Sequence, residues 1–550
     1  MPYTIGIDYG TESGRALLVD TADGREVATS VHPYANRVID DVLPITGKKL
    51  PYDWALQDPH DYIEVIRVTV PAVLKESGIN PQDVVGLAID FTACTMMPAK
   101  ADGRALRSLP EWQDHPHAWV KLWKHHASQP QADQINATAR QMGEKWLDRY
   151  GGKISSEWFF SKALQILQEA PEVYAASDRL LEATDWVTWQ LTGVETRNAC
   201  TAGYKAMVQD GQFPHREYFA ALHPDFANVV DQKMMRSFAQ LGDRAGGLTR
   251  EFAEMTGLTE GIAVAVANVD AHVTAPAVKA VNAGTMVMIM GTSTCHIMSG
   301  DSLHDVDGMC GVVMGGVIPG LYGYEAGQSG VGDIFAWFVE NAVPPEYHEA
   351  AQKAGKNLHE YLEQEATKQH VGQHGLIALD WWNGNRSTLV DTDLTGLLIG
   401  ATLATRAPDI YRALIESTAY GTRVIIEAFE AQGVPVHELV AAGGLPDKNA
   451  LLRQIYADVT GRPLRLAGSS QAPALGSAMH AAVAAGVYPN IQSAAEKMGK
   501  LKEEVVNPIP ANKAVYDQLY AEYKTLYDYF GRGANDAMKR LKAIKLRAAH

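Results

Sequence analysis

Tyr3-Thr4-Ile5-Gly6-Ile7-Asp8-Tyr9-Gly10-Thr11-Glu12-Ser13-Gly14-Arg15-Ala16-Leu17-Leu18-Val19-Asp20 is the stretch on which the fold turns. Ile5 and Ile7 alternate with Gly6 and Asp8, residues 16–19 are an apolar run, and Gly10, Ser13 and Gly14 mark the bend between them. That is the pattern of a strand, a tight turn and a returning strand. The tip has the chemistry of an anion cradle. Glycines let main-chain N–H groups converge on a phosphate, the hydroxyls of Thr11 and Ser13 add donors, and Arg15 brings a fork-shaped cation. Asp8 faces the same space, and a carboxylate beside a phosphate cradle makes sense with a hard cation such as Mg²⁺ between them. An ordinary hairpin with a Gly-rich turn satisfies the same residues, so the assignment needs support from elsewhere in the chain.

That support lies far downstream, in Gly284-Thr285-Met286-Val287-Met288-Ile289-Met290-Gly291-Thr292-Ser293-Thr294-Cys295-His296-Ile297-Met298. Again an apolar strand runs into a Gly-Thr-Ser tip and returns as a strand. The repeat predicts two related halves, each contributing one phosphate hairpin, so that Gly10, Thr11, Ser13 and Arg15 face Gly291, Thr292 and Ser293 across one polyphosphate. Just before the second hairpin, the strand pattern of residues 262–267 delivers Asn268, Asp270 and His272 at its exit. An acid emerging from an apolar run is costly unless it is paired or has a task, which makes Asp270 the candidate base, with a helix cap for residues 271–281 as the competing role.

The rest of the chain reads as α/β. Residues 26–31 form a third strand. Asp58-Pro59 caps a helix that Gly78 ends and that Pro71 should kink, and residues 84–89 are a buried-type strand leading to Asp90 and Ala93. Residues 111–123 mix indoles with polar groups in a manner suited to a sugar. Pro116 interrupts the helix that would gather His115, His117, His125 and His126 round a metal, so solvated or packing histidines are expected there. Asp185 reads as the start of a helix ending at Gly193, and residues 202–206 as a loop carrying Lys205. Residues 319–325 form a hairpin with Glu325 facing the cleft, and Gly327, Gly330 and Gly332 precede a helix over 334–340. A long helix is expected over 409–432, then a strand over 438–442 emptying into Gly443-Gly444, a helix over 449–460, a small-residue helix over 472–485 and a basic helix over 538–547.

With 550 residues, of which 46% are hydrophobic and 20% charged, the chain is too long for one core. A net charge of −16 argues against nucleic-acid or anionic-membrane partners. Four widely spaced cysteines and no Cys-x-x-Cys pair predict reduced thiols. No signal-like opening and no membrane-length apolar run are present, which predicts a cytoplasmic protein. Neither a P-loop nor a Rossmann fingerprint occurs.

Taken in order, the segments Asp-Tyr-Gly-Thr-Glu-Ser-Gly-Arg (8–15), Asp-Trp-Val-Thr-Trp-Gln-Leu-Thr-Gly (185–193), Asn-Val-Asp-Ala-His (268–272), Met-Gly-Thr-Ser-Thr (290–294) and Gly-Gly-Leu-Pro-Asp-Lys-Asn-Ala-Leu-Leu-Arg-Gln-Ile-Tyr-Ala-Asp-Val-Thr-Gly (443–461) resemble the motifs of the FGGY carbohydrate kinases over nearly the whole chain. The resemblance implies two actin-like (ribonuclease H-like) domains flanking a deep cleft, divided here as 1–281 and 282–550. It implies ATP and Mg²⁺, with Gly10, Thr11 and Ser13 on one side of the phosphates and Gly291, Thr292 and Ser293 on the other. Gly443, Gly444 and Asn449 would lie by the adenosine, and Asp8 would act on Mg²⁺ through water. Ala93, Lys205, Asp270 and Glu325 would line the sugar pocket, Asp270 taking the proton from the terminal hydroxyl of a ketopentose, L-ribulose first and xylulose, rhamnulose or glycerol as alternatives. Ala267-Asn268-Val269 and His115-Pro116-His117 depart from the pattern of many relatives, which have a glycine just before the catalytic aspartate and an arginine after Trp-Gln-Asp. A homodimer is kept open. The other classes are a nucleotide-driven assembly or chaperone module and a non-catalytic sugar sensor.

Overall fold

A computed structural model describes residues 2–548; residues 1, 549 and 550 at the ends of the two expected domains lie outside the described residues. Strands β1 (Tyr3–Tyr9), β2 (Ser13–Asp20) and β3 (Glu26–Pro33) form the antiparallel meander expected from the opening residues. On the other side of β1 lies the parallel strand Val84–Phe91, then Ala263–Ala265, then the antiparallel edge Arg244–Gly247. β1 and Val84–Phe91 are buried almost throughout, as expected for apolar runs covered on both faces.

The second sheet repeats the design. Its order is Gly311–Met314, Tyr322–Gln328, Thr294–Gly300, Thr285–Met290, Glu438–Ala442, Leu464–Ala467, Leu501–Val506. From Tyr322–Gln328 onward the directions match those from β3 onward: two antiparallel pairings, two parallel ones, then an antiparallel edge. This is the duplication that the two hairpins predicted.

The small-residue helix Ala472–Ala484 lies against the first sheet although it comes from the second half of the chain. A Cβ at Gly6 would stand 1.9 Å from Ala474 O, one at Gly86 2.7 Å from Ala481 O, and one at Gly476 1.9 Å from Val273 O in the helix Asp270–Ala277. Thr4 Oγ1 donates to Ala478 O at 2.9 Å. Backbones approach here because side chains have been removed from both surfaces. Into the first half is inserted a smaller sheet, Leu56–Gln57, Val120–Lys121, Met96–Ala99 and Arg179–Glu182, beside an aromatic core that includes Phe160, Phe219 and Phe226.

Several local expectations need correction. Asp185 is not a cap: its helix runs Ala183–Thr192, and the Asp185 carboxyl accepts instead from Asn198 N (3.1 Å) and Nδ2 (2.7 Å). Lys205 is not on a loop but closes the helix Ala199–Lys205, capped by Asn198, and is buried. The strand over 262–267 is broken into Ala263–Ala265 and Asn268–Val269, and Gly332 opens the helix Gly332–Asn341 instead of preceding it. Trp119 is not available to a ligand, being fully buried with Arg107 at 4.0 Å over its ring.

Candidate functional site

Each hairpin tip is closed by its first glycine onto a serine carbonyl, Gly10 N donating to Ser13 O at 3.0 Å and Gly291 N, in a loop one residue tighter, to Ser293 O at 2.9 Å. Gly10, Thr11 and Ser13 are part-exposed, and Gly291 and Thr292 are exposed. Neither first glycine is demanded by the fold: a Cβ at Gly291 meets nothing within 4 Å, and one at Gly10 meets only Ser13 O at 3.3 Å. Gly443 is different. With φ +97° and Met290 O 2.4 Å from its would-be Cβ, it is required for the strand Glu438–Ala442 to turn. Gly444 is open to approach. Asn449 Oδ1 accepts from Leu452 N at 2.7 Å as the cap of the helix Ala450–Thr460, so this side chain has a structural task of its own.

The first tip is braced from the inserted sheet. Trp123 Nε1 donates to Thr11 Oγ1 at 3.1 Å and Gln57 Nε2 to Thr11 O at 2.7 Å. Trp123, read from sequence only as one of several indoles, is the member of that segment that reaches the site.

Behind the tip are three carboxylates. Asp8 lies opposite Arg15 on β2 and opposite Asp90 on the parallel strand. Arg15 Nε stands 3.3 Å from Asp8 Oδ2. Asp90, fully buried, accepts from Ser477 Oγ at 2.6 Å, and its other oxygen has no partner except the facing Asp8 carboxyl. Burial, then the Asp8 charge, pushes the Asp90 carboxyl well above the ordinary range. Burial also raises Asp8, against the lowering pull of Arg15 and Asp90. Asp90 was not singled out from sequence, although an acid ending an apolar strand is the signal that singled out Asp270.

Asp270 opens the helix Asp270–Ala277 and is part-exposed, with Oδ1 accepting from Ala271 N at 2.7 Å. Burial first, then the Asp8 charge, pushes its carboxyl up to about 7. The Asp8–Asp270 and Asp270–Glu325 interactions put these acids in one neighbourhood.

Lys205 and Glu325, expected to line the sugar pocket separately, meet each other across the two halves: Lys205 Nζ lies 2.9 Å from both carboxylate oxygens. His272 Nε2 is 3.2 Å from Glu325, and Cys200 Sγ 3.0 Å from His272 Nδ1. Burial lowers the His272 pKa, so a neutral ring donates from Nε2 to Glu325 and accepts the Cys200 thiol proton at Nδ1. Burial alone would raise Glu325, but Lys205 and His272 together hold it far below the usual carboxylate range, and Glu325 holds Lys205 above the usual lysine value. Ala93, part-exposed, precedes Cys94, whose carbonyl accepts from Lys162 Nζ at 2.6 Å. Of the four histidines, His125 hydrogen-bonds Gln165 and His126 hydrogen-bonds Glu157, and no cluster of three or more potential ligands occurs among the described residues. A cavity of about 320 Å³ bordered by Arg412, Leu451, Asp458 and Tyr516 includes none of these groups.

Models of the N-terminal and C-terminal domains of the FGGY family of carbohydrate kinases match residues 3–276 and 286–485. The chain belongs to this family. It is 56% identical over 548 residues to a protein of Halalkalibacterium halodurans named ribulokinase, covering 99% of this chain and 97% of that one. A ribulokinase of Geobacillus thermodenitrificans is 58% identical over 549 residues with the same coverage. Among solved structures, a xylulose kinase from Lactobacillus acidophilus superposes with a TM-score of 0.79 at 16% identity, covering 97% of this chain and 99% of that one, and one from Rhodospirillum rubrum with 0.77 at 20%, covering 96% and 98%. The fold is thus the two-domain actin-like one that the motifs implied. No helix among the described residues is long and apolar enough to cross a membrane.

Proposed function

We propose that this FGGY kinase transfers the terminal phosphoryl group of ATP to the C5 hydroxyl of L-ribulose, in the cytoplasm. The observation that carries the reading is the convergence of one acid poised near neutrality, Asp270, with an anion cradle on one side and the Lys205–Glu325 pair on the other. The ribulokinase name of the 56–58% identical relatives supports ribulose as the acceptor.

The residues present fit both ATP and a divalent cation: the hydroxyl-bearing tips are part-exposed at Gly10, Thr11 and Ser13 and exposed at Gly291 and Thr292, and the Asp8 carboxylate beside the first tip is a hard oxygen donor. Bound Mg²⁺, held by Asp8 through water, would offset the charge of the phosphates. Gly10, Thr11, Ser13 and Arg15 hold the phosphates from one side, Gly291, Thr292 and Ser293 from the other, and Gly443, Gly444 and Asn449 flank the adenosine. Because phosphoryl transfer passes through a loose transition state, the protein mainly positions and neutralises. Lys205 keeps a donor and Glu325 an acceptor for sugar hydroxyls, with Ala93 leaving room beside them. Asp270 accepts the proton from the C5 hydroxyl as its oxygen bonds to phosphorus.

The test is ADP release with a panel of ketoses and polyols. L-Ribulose is expected to give the highest kcat/KM. A higher value with xylulose, rhamnulose or glycerol would overturn the acceptor assignment. ADP release indifferent to any sugar would overturn the kinase reading in favour of an actin-like ATPase.

A further inference from the structure

Arg386 plays no part in the assignments above, and its setting is that of a residue placed for a ligand. It sits on a short loop after the strand Ile377–Leu379, and the loop is stitched to the second sheet at Gly327: Ser387 N donates to Gly327 O at 3.1 Å and Gly327 N to Ser387 Oγ at 3.2 Å. Asn385 and Asp391 exchange two 2.8 Å backbone bonds across the loop, and Asn385 Oδ1 accepts from Leu389 N at 2.9 Å. The Arg386 side chain lies on the face of the second sheet where Gly327 leaves room: a Cβ there would stand 2.9 Å from Arg386 Cδ and 3.3 Å from Nη1. Gly327 pairs with Cys295, two residues beyond Ser293 at the second phosphate tip. The charge of Glu157 from the other half acts most strongly on the guanidinium, with Glu325 from its own half, yet among the described residues no acceptor hydrogen-bonds to it and no carboxylate comes within ion-pair distance.

A guanidinium has five N–H donors in a rigid fork and cannot shed its charge. One laid over a glycine between a strand that leads to a phosphate tip and a sugar-pocket acid, with no hydrogen-bonded protein partner, is arranged for an anion. We infer that Arg386 is a further catalytic residue, its fork receiving the transferred phosphoryl group as it passes from nucleotide to sugar and holding it on the phosphorylated product.

The inference rests on the kinase reading. In the step, the bond from the γ-phosphorus to the β-phosphate oxygen breaks, ADP leaves with the electron pair, the C5 oxygen bonds to phosphorus, and its proton goes to Asp270. Arg386 exchanges no proton and only donates hydrogen bonds to the equatorial oxygens, whose charge it offsets.

The test compares Arg386→Ala, Arg386→Lys and Glu157→Gln. Arg386→Ala is expected to lose about 10²-fold or more in kcat with the KM values for ATP and L-ribulose within about threefold, the pattern of an interaction made mainly in the transition state. Calorimetry should show a loss of about tenfold in affinity for ribulose 5-phosphate and none for ribulose, Arg386→Lys should fall between, and added guanidinium should restore part of the turnover of Arg386→Ala. A folded Arg386→Ala protein with wild-type kcat and wild-type affinity for the phosphorylated sugar would overturn the inference alone. So would Glu157→Gln reproducing the full loss, because Arg386 would then be a latch between the halves. Wild-type protein that releases no ADP with any ketose would overturn the kinase reading, and this inference with it.

Discussion

At the tip of each sheet a glycine N–H closes onto a serine carbonyl, and behind each tip run a central strand, its antiparallel partner and a parallel neighbour in the same arrangement. The side chains at matching positions differ. One residue before the end of β1 stands Asp8, opposite Arg15 and Asp90; the corresponding place in the second half holds Ile289, opposite Cys295 and Ala442. The duplicated backbone supplies N–H donors twice, while the carboxylates and the paired cation belong to the first half alone. A backbone cradle is a product of the fold and comes with each copy, whereas a cation site depends on particular side chains and needs only one.

The largest effect that would sharpen this contrast is at Asp8. Asp8→Asn should lose about 10²-fold in kcat and shift the Mg²⁺ requirement upward, while the matching changes Ile289→Val and Cys295→Ser should stay within about twofold. Equal losses on both sides would break it. Next in size is the bridge between the halves. Lys205→Met leaves the buried Glu325 charge with only the His272 hydrogen bond, so it should raise the sugar KM about tenfold or more, leave the ATP KM nearly constant and lower the melting temperature, in line with about 3 kcal/mol for breaking a buried pair. A change confined to the ATP constant would move Lys205 to the nucleotide side. The smallest effect concerns what the halves share: Gly10→Val and Gly291→Val should each weaken ATP about tenfold and leave sugar affinity alone, because the added Cβ meets nothing at Gly291 and only Ser13 O, at 3.3 Å, at Gly10, but each side chain would obstruct the approach of a phosphate. Unchanged ATP affinity in both, measured by calorimetry, would remove the two-sided clamp.

The fold was legible because its signals are local. The apolar strands 84–89 and 285–290, the helix stops at Gly78, Gly193 and Gly461, and the repeated Gly-Thr-Ser tips each declare themselves within a few residues. Residues 202–206 look like a loop in sequence because the helix Ala199–Lys205 is only seven residues long and, beyond its Asn198 cap, is held by burial against the second half, which no short window reveals. Trp123 could not be told from Trp119, since one reaches Thr11 and the other the core by virtue of a loop path. Arg386 is visible only once its loop lies against Gly327, and Asp90, although an acid ending an apolar strand, gains its meaning only from facing Asp8 on the neighbouring strand.

The central claim is that Asp270 takes the sugar proton, and turnover of Asp270→Asn across pH tests it most directly. With its carboxyl pushed up to about 7, Asp270 is ionised and able to accept a proton only above that pH, so wild-type kcat/KM should rise through about pH 7 and level off above it. The same shift works against stability in the free protein: a carboxyl raised on folding stabilises at low pH, and that contribution is lost as pH rises from about 4 to about 7. Asp270→Asn should therefore melt slightly higher than wild type at pH 8, bind both substrates, lose about 10²-fold or more in turnover and show no rise near pH 7. A folded Asp270→Asn protein with near-normal kcat and the wild-type pH profile would contradict the account, since Asp270 follows the capping position Val269 and Asn keeps its shape but cannot accept the proton.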